Sequence, residues 1–395
     1  MYSVPVAILY CPPTHIKCSL QLHGNTILSL INGTEWVSAS LSREARCTGG
    51  MVAFFDAHQF LGLPSQGGPV DVAVIPLAYE LTTSYGMGTA EGPRACIQAS
   101  AQVELFDQTL GEDLPAGANI MTLEDFEAQA PTLRLQLDEM LGHATPWLDG
   151  QCFPLFLGGE HGILPPIIQA ASSHPMVGGD LSKLTVVQLD AHADLRSHLN
   201  GEIFSHACAA SRSLDLGIGR LLQAGVRAYS SEEAQRILAD QRITTFFARD
   251  TQHPHTGGKA WSKWLDNLRQ LSGPVHFTLD IDGLDGALVP ATGTPVPGGL
   301  SYWQAVETIE VLFGNPNITV ISADVNEITP QIDTPLTQFT AACLATKIVA
   351  CHLLAKREGR WESSGTGERA DPPSFSFEDF EQDEAFASPK KEFHS

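Results

Sequence analysis

The chain has 395 residues, 43% of them hydrophobic, with 23 basic against 45 acidic side chains and a formal net charge of −22. That length holds one large α/β domain or two to three of about 150 residues each, and its core needs no disulfides. The acidic excess argues against binding a phosphate backbone, which takes clustered Lys and Arg, and it suits a small cationic ligand.

The eight cysteines (11, 18, 47, 96, 152, 208, 343 and 351) are scattered and form no Cys-x-x-Cys pair. Such usage reads as reduced thiols in a cytoplasmic protein. No uncharged run approaches the ~20 apolar residues of a membrane helix, and Met1–Tyr10 lacks the basic start of a signal peptide, so no membrane partner is expected. Residues 1–66 show no sustained period and few charges, and read as an N-terminal extension. It is either an added lobe or a stretch upstream of a true start at Met51. Residues 67–357 form the main domain and 358–395 a tail. Residues 361–395 hold nine acids against three bases, with several Ser and Pro, the composition of a disordered segment.

Between these ends, β-branched runs bounded by Gly or Pro predict strands at Asp71–Ile75, Phe153–Leu157, Leu184–Leu189, Ile243–Phe247, Val275–Leu279 and Ile318–Ala323. Helical patterns predict Arg94–Glu104, Leu123–Leu141, Ile163–Ser172, Glu232–Ala239, Trp261–Leu271, Tyr302–Leu312 and Leu336–Lys356. Strands apolar on both faces and alternating with helices imply an α/β fold, three layers with a central, mainly parallel sheet. In such folds ligands sit beyond the C-terminal ends of the strands, near a topological switch point.

Three predicted strands run into metal-type residues: Gly158-Gly-Glu-His161, Asp190-Ala-His-Ala-Asp194 and Asp280-Ile-Asp-Gly-Leu-Asp285. In extended backbone, alternate residues project to one side, so Asp190, His192 and Asp194 converge, and so do Asp280 and Asp282. With His161 this makes four carboxylates and two imidazoles. Packed together, the acids repel one another unless cations lie between them. One ion rarely takes six such ligands, whereas two ions bridged by shared carboxylates use them all. Oxygen-rich ligation with some imidazole favours Mn²⁺ over Zn²⁺, with Ni²⁺ or Fe²⁺ as substitutes.

At these residues the chain resembles the ureohydrolase (arginase and agmatinase) family. Thr82-Thr-Ser-Tyr-Gly-Met-Gly-Thr-Ala-Glu-Gly-Pro-Arg-Ala95 and Thr292-Gly-Thr-Pro-Val-Pro-Gly-Gly299 extend the resemblance, which covers about residues 69–356. It implies the arginase-like fold, a homo-oligomer (trimer or hexamer) and two Mn²⁺ ions with a hydroxide between them that attacks a guanidinium carbon. His161, Asp190, Asp194 and Asp280 would hold one ion; His192, Asp190, Asp280 and Asp282 the other, with Asp190 and Asp280 bridging. His206, in Phe204-Ser-His-Ala-Cys208, matches the family's proton-shuttling histidine. Glu327, in Asp324-Val-Asn-Glu-Ile-Thr-Pro330, matches the glutamate that pairs with the substrate guanidinium through a charge-assisted contact. Two departures stand in the first signature, where the family more often has Asp and Ser and this chain has Glu160 and Gly162. A third is Gly286, where Pro usually follows the aspartate. Glu160 and Asp285 read as supports of the ligands.

Arginases carry an Asn- and Thr-rich stretch after the second signature that receives an amino-acid carboxylate. The corresponding Leu195-Arg-Ser-His-Leu-Asn-Gly201, together with Gly225-Val-Arg-Ala-Tyr229, looks more like bacterial agmatinases. Hydrolysis of agmatine to putrescine and urea is the reading preferred, over guanidine or guanidinobutyrate, with arginine less favoured. Two other classes compete. A deacetylase on a related fold holds one Zn²⁺ and does not need Asp194 and Asp282 together. A catalytically silent regulatory homologue would have shed ligands or Glu327, and here all are present.

Overall fold

The computed structural model describes residues 58–64, 67–331, 334–361 and 374–381. Among them are eight strands: β1 (Val72–Leu77), β2 (Ile120–Thr122), β3 (Phe153–Gly158), β4 (Thr185–Leu189), β5 (Arg220–Ala224), β6 (Ile243–Phe246), β7 (Gly273–Asp280) and β8 (Ile318–Asn326). All eight join one parallel sheet in the order β2-β1-β3-β8-β7-β4-β5-β6. The helices are α1 (Gly92–Ser100), α2 (Leu133–Ala144), α3 (Leu164–Ala171), α4 (Ala209–Asp215), α5 (Ser231–Ala239), α6 (Ala248–Thr251), α7 (Gly257–Arg269), α8 (Tyr302–Gly314) and α9 (Leu336–Arg357).

Burial on both faces explains the continuous apolar runs. In β3, Phe153, Leu155 and Leu157 enter one core with α1, α7, α8 and α9, while Phe156 enters a second core with α2, α3 and α4. The three layers are those the alternating pattern predicts. Helix α9 meets the length and hydropathy of a membrane span, but 78% of its apolar window is buried, the character of a core helix. The described cysteines 96, 152, 208, 343 and 351 are free thiols.

Differences from the predicted elements have local causes. The expected helix over 123–141 begins only at Leu133, because Pro131 precedes the cap and the Thr132 hydroxyl accepts from Leu135 N at 3.3 Å. The helix predicted over 94–104 ends at Ser100, whose hydroxyl bonds back to Ile97 O. Strand β5 (Arg-Leu-Leu-Gln-Ala) lacks β-branched residues, and its buried Gln223 donates through Nε2 to Gln188 Oε1 and Ala193 O. Helix α4 is small and polar, anchored by the fully buried Arg212 on Asp215 at 2.8 Å.

Parts of both terminal segments pack on the main domain. Residues 1–57, including the Met51 alternative, lie outside the described residues, but Phe60 and Leu61 pack into the main core and therefore belong to it. In the expected disordered tail, residues 374–381 dock on the body. Phe377 is fully buried and meets Phe204 edge to face at 5.4 Å, and Phe380 meets the same ring at 5.2 Å. From α2, Arg134 donates to the carbonyls of Phe377, Glu378 and Phe380, and Asp138 accepts from Ser376 Oγ and Phe377 N. The acidic composition of the whole tail conceals this Phe-x-Phe-x-x-Phe segment. Replacing Phe377 by Ala should cost about 3–5 kcal/mol, the usual range for a buried phenyl ring. A denaturant midpoint equal to that of the parent chain would contradict the docking.

A second prediction concerns acid stability. His352 of α9 stacks on Phe153 at 4.3 Å, with Trp361 edge-on, and neither ring nitrogen has a hydrogen-bond partner. Burial, aided by the Lys356 charge, lowers its pKa from 6.5 to about 3. The unfolded chain therefore binds the proton first, and the stability present above pH 6.5 is lost as pH falls towards 3. His352→Leu should flatten that acid limb in denaturation curves at pH 7 and pH 5. An unchanged pH dependence would mean that the imidazole is not the group being titrated.

Candidate active site

The topology brings the chemistry-bearing residues together. The segments after β3, β4, β7 and β8 carry Glu160–His161, Asp190–Asp194, Asp280–Asp282 and Glu327. Their strands are the four central neighbours, in the order β3-β8-β7-β4. The chain leaves β3 on one side of a gap, reaches β4 on the other, and later fills the gap with β7 and β8. The site lies at that switch point. Close approach is possible because two residues lack a Cβ. A Cβ on Gly159 would stand 2.0 Å from Tyr79 O, and one on Gly283 would stand 2.7 Å from Asp190 N.

Five of the six expected ligands converge into two groups that share Asp190. His161 Nδ1 lies 3.2 Å from Asp190 Oδ2 and 2.9 Å from Asp194 Oδ2. His192 Nδ1 lies 3.0 Å from Asp282 Oδ2 and 3.6 Å from Asp190 Oδ1. Asp190 thus offers one oxygen to each group. Asp280 stands slightly farther from the first group, its Oδ2 3.7 Å from His161 Nδ1, and its other oxygen accepts from Asp282 N at 2.9 Å. The carboxylates of 190, 194, 280 and 282 are all buried.

Electrostatics show what the donor set needs. Burial, with the charge of Asp190, pushes Asp194 up to about 7. Burial, with Asp282 and Asp190 alongside, raises Asp280 well above the ordinary carboxyl range. Burial also opposes the charge on Asp190, yet the neighbouring imidazoles of His161 and His192 outweigh it and hold that carboxyl low. His161 Nδ1 is a buried atom without a hydrogen-bond partner, facing three carboxylates. An unpaired imidazole nitrogen among crowded acids fits divalent cations, which satisfy both at once.

A polar row inside the sheet orients that nitrogen. His161 Nε2 lies 2.8 Å from Thr278 Oγ1, and the Thr278 hydroxyl donates to Asp324 Oδ1 at 2.7 Å. With its one hydrogen committed to Asp324, Thr278 accepts from Nε2–H, so Nδ1 presents its lone pair to the cluster. Gln188 Nε2 donates to Asp190 Oδ2 at 2.6 Å. Arg227 donates to the carbonyls of Asp282, Gly283 and Leu284, pinning the turn after β7. These supports escaped the sequence reading, although Thr278 and Asp280 alternate on one face of β7 opposite Asp324 and Asn326 of β8.

Glu327 lies beside the cluster in the left-handed region, φ 65°, as does Asp194 at φ 52°. Non-glycine residues held there are strained, and such strain concentrates at functional sites. Glu327 N donates to Gly159 O at 2.8 Å, and Glu327 Oε1 accepts from His161 N at 2.7 Å. No cation pairs with its carboxylate among the described residues. Burial, with the charges of Glu160 and Asp282, raises its pKa well above the usual range. Over Glu327 passes Gly293, which receives a hydrogen bond from Gly86 N at 3.0 Å.

His206 follows a loop fastened at both ends. The buried Arg212 donates to Ser197 O and Ile203 O, while Glu233 accepts from Leu195 N and Glu232 from Ser197 N. The His206 ring is half-buried, and desolvation with the nearby His192 and His161 lowers its pKa to about 4. It is a neutral imidazole at neutral pH. Glu160 accepts three hydrogen bonds from Leu81 and Thr82, and Asp285 accepts from Ala287, Gly298 and Gly299, so both are supports, as expected.

Comparison with known proteins agrees with this geometry. The sequence model of the arginase family matches residues 70–353. An N(1)-aminopropylagmatine ureohydrolase of Synechocystis is 32% identical over 283 residues, 70% of this chain and 88% of the relative. An agmatinase of Pyrococcus horikoshii is 30% identical over 61% of this chain and 78% of the relative. The crystal structure of an agmatine ureohydrolase of Thermoplasma volcanium is 24% identical, with a TM-score of 0.63 over 78% of this chain and 97% of that one, a likeness of fold.

The shared position of Asp190 yields a direct test. Asp190→Asn removes the charge common to both groups, so the chain should lose divalent-ion binding at both and not at one alone. Elemental analysis after dialysis checks this. Undiminished metal content in the variant would refute the shared role.

Proposed function

The chain belongs to the arginase family, and on that premise we propose that it is a binuclear ureohydrolase that cleaves agmatine to putrescine and urea. The observation that carries this reading is a buried, cation-free carboxylate, Glu327, held beside two ligand groups that share Asp190.

In this reading the ions are Mn²⁺: His161, Asp190, Asp194 and Asp280 would hold one, and His192, Asp190, Asp280 and Asp282 would hold the other. When bound, they supply the positive charge that makes water a nucleophile near neutral pH. The remaining work falls to the chain. Glu327 receives the planar guanidinium in a charge-assisted contact, and a cationic guest lowers the cost of burying that carboxylate. Its Oε1 bond to His161 N fixes the guanidinium relative to the ligand groups. The neutral His206 accepts a proton released by the attacking water and passes it to the leaving amine.

Two features support a substrate without an α-carboxylate. The backbone of the 195–201 loop is committed to its own scaffold, with Leu195 N on Glu233, Ser197 N on Glu232 and Ser197 O on Arg212. The rim beside Glu327 exposes Tyr85 and Met87, on either side of Gly86, surfaces suited to methylenes. The same rim, and the name of the Synechocystis relative, favour a second reading, the longer N(1)-aminopropylagmatine. Guanidine and guanidinobutyrate rank below both, and arginine last. The reading extends to a cytoplasmic homo-oligomer.

Urea release from agmatine, N(1)-aminopropylagmatine, guanidinobutyrate and arginine orders these substrates by kcat/KM. Arginine as the best of the four would overturn the proposed class. Glu327→Gln keeps the shape and removes the charge, so kcat/KM should fall at least ~100-fold, taking a charge-assisted bond at about 3 kcal/mol. Metal content should be unchanged. Kinetics near those of the parent chain would mean that Glu327 does not hold the guanidinium.

A further inference from the structure

The hydroxyl of Thr82 is saturated. It donates its only hydrogen to Glu160 Oε1 at 2.8 Å, accepts the His206 backbone N–H at 2.9 Å, and lies 3.1 Å from His206 Nδ1. A hydroxyl has one donor and two lone pairs, so the remaining role of Thr82 Oγ1 is to accept from Nδ1. Glu160 also accepts Leu81 N at 2.8 Å and Thr82 N at 2.6 Å through Oε2. That is the bonding pattern of a carboxylate, which has no hydrogen to give back. We propose that Thr82, locked by Glu160, is a positioning residue that fixes His206 as the tautomer with its hydrogen on Nδ1, leaving Nε2 as the basic atom that moves protons in the reaction.

The alternative donor at Nδ1 is Ser205 Oγ, at 3.3 Å. If Ser205 donated to an unprotonated Nδ1, that lone pair would face a lone pair of Thr82 Oγ1 at 3.1 Å. Thr82 would have to release Glu160 to relieve the repulsion, so Ser205 is the weaker influence.

The lock also accounts for two departures in the first signature. A Cβ added to Gly162 would stand 2.8 Å from Glu160 Oε1, the oxygen that holds Thr82. Glu160 reaches Thr82 because residue 162 has no side chain. The two departures form one structural unit: a carboxylate longer by one methylene and the space that admits it. Gly162→Ser should therefore dislodge Glu160 from Thr82, and adding Glu160→Asp should partly relieve the crowding.

This inference rests on the shuttle role of His206, and the test separates the two. In the full-length chain loaded with diamagnetic Zn²⁺, ¹⁵N-histidine correlations assign the ring hydrogen, and the His206 signals are identified by their loss in His206→Asn. Nδ1–H is expected in the parent chain and in Ser205→Ala, and a mixture of tautomers in Thr82→Val. In the Mn²⁺ enzyme, Thr82→Val should lower kcat about tenfold or more with KM within about threefold and metal content unchanged, the split expected when proton transfer is impaired and binding is not. Thr82→Ser, which restores the hydroxyl, should recover most of kcat. A ring hydrogen on Nε2 in the parent chain would overturn the proposal. So would a kcat in Thr82→Val equal to the parent's despite a changed tautomer. Normal turnover in His206→Asn would instead overturn the shuttle reading itself, whatever the tautomer.

Discussion

Four buried carboxylates at the ends of adjacent parallel strands repel one another, and the rest of the site answers to that repulsion. Asp190, Asp194, Asp280 and Asp282 all lie within 4% of full burial. Two of them are pushed far above the ordinary carboxyl range, and His161 and His192 stand among them as the compensating groups. A fold gains nothing in stability from such a cluster, because desolvating charge costs more than imperfect pairing returns. Its physical sense lies in divalent cations, which neutralise the acids and need their oxygens.

Holding such a cluster together requires rigid surroundings. Parallel strands packed on both faces give fixed starting points, and the loops that follow are fastened by arginine donors. Arg227 grips the carbonyls after β7, and Arg212 grips both ends of the loop leading to His206. The docked C-terminal segment braces the same loop from outside, since Phe377 and Phe380 pack on Phe204, two residues before His206. Strain at Asp194 and Glu327 is tolerated because these contacts over-determine the backbone there.

The layered architecture, six of the eight strands and the convergence of the acids and imidazoles after β3, β4 and β7 were legible in the sequence. Apolar strands, acids at alternate positions and glycine punctuation are local signals. What was not legible is non-local. Strand β5 owes its place to Gln223 meeting Gln188, a partner 35 residues away. The Thr278–Asp324 support becomes visible only once β7 and β8 are known to be neighbours. Within the tail, averaging charge over 35 residues hid three phenylalanines, Phe375, Phe377 and Phe380, that pack on the body. The pairing of Glu160 with Gly162 looked like two separate departures until one side chain was seen to fill the space of the other.

The central claim is that one carboxylate, Asp190, couples two cation positions. Electron paramagnetic resonance of the Mn²⁺-loaded chain, with parallel elemental analysis, tests it most directly. Two Mn²⁺ per chain and a spectrum dominated by an exchange-coupled pair are expected. One Mn²⁺ per chain with the six-line signal of an isolated ion would contradict it.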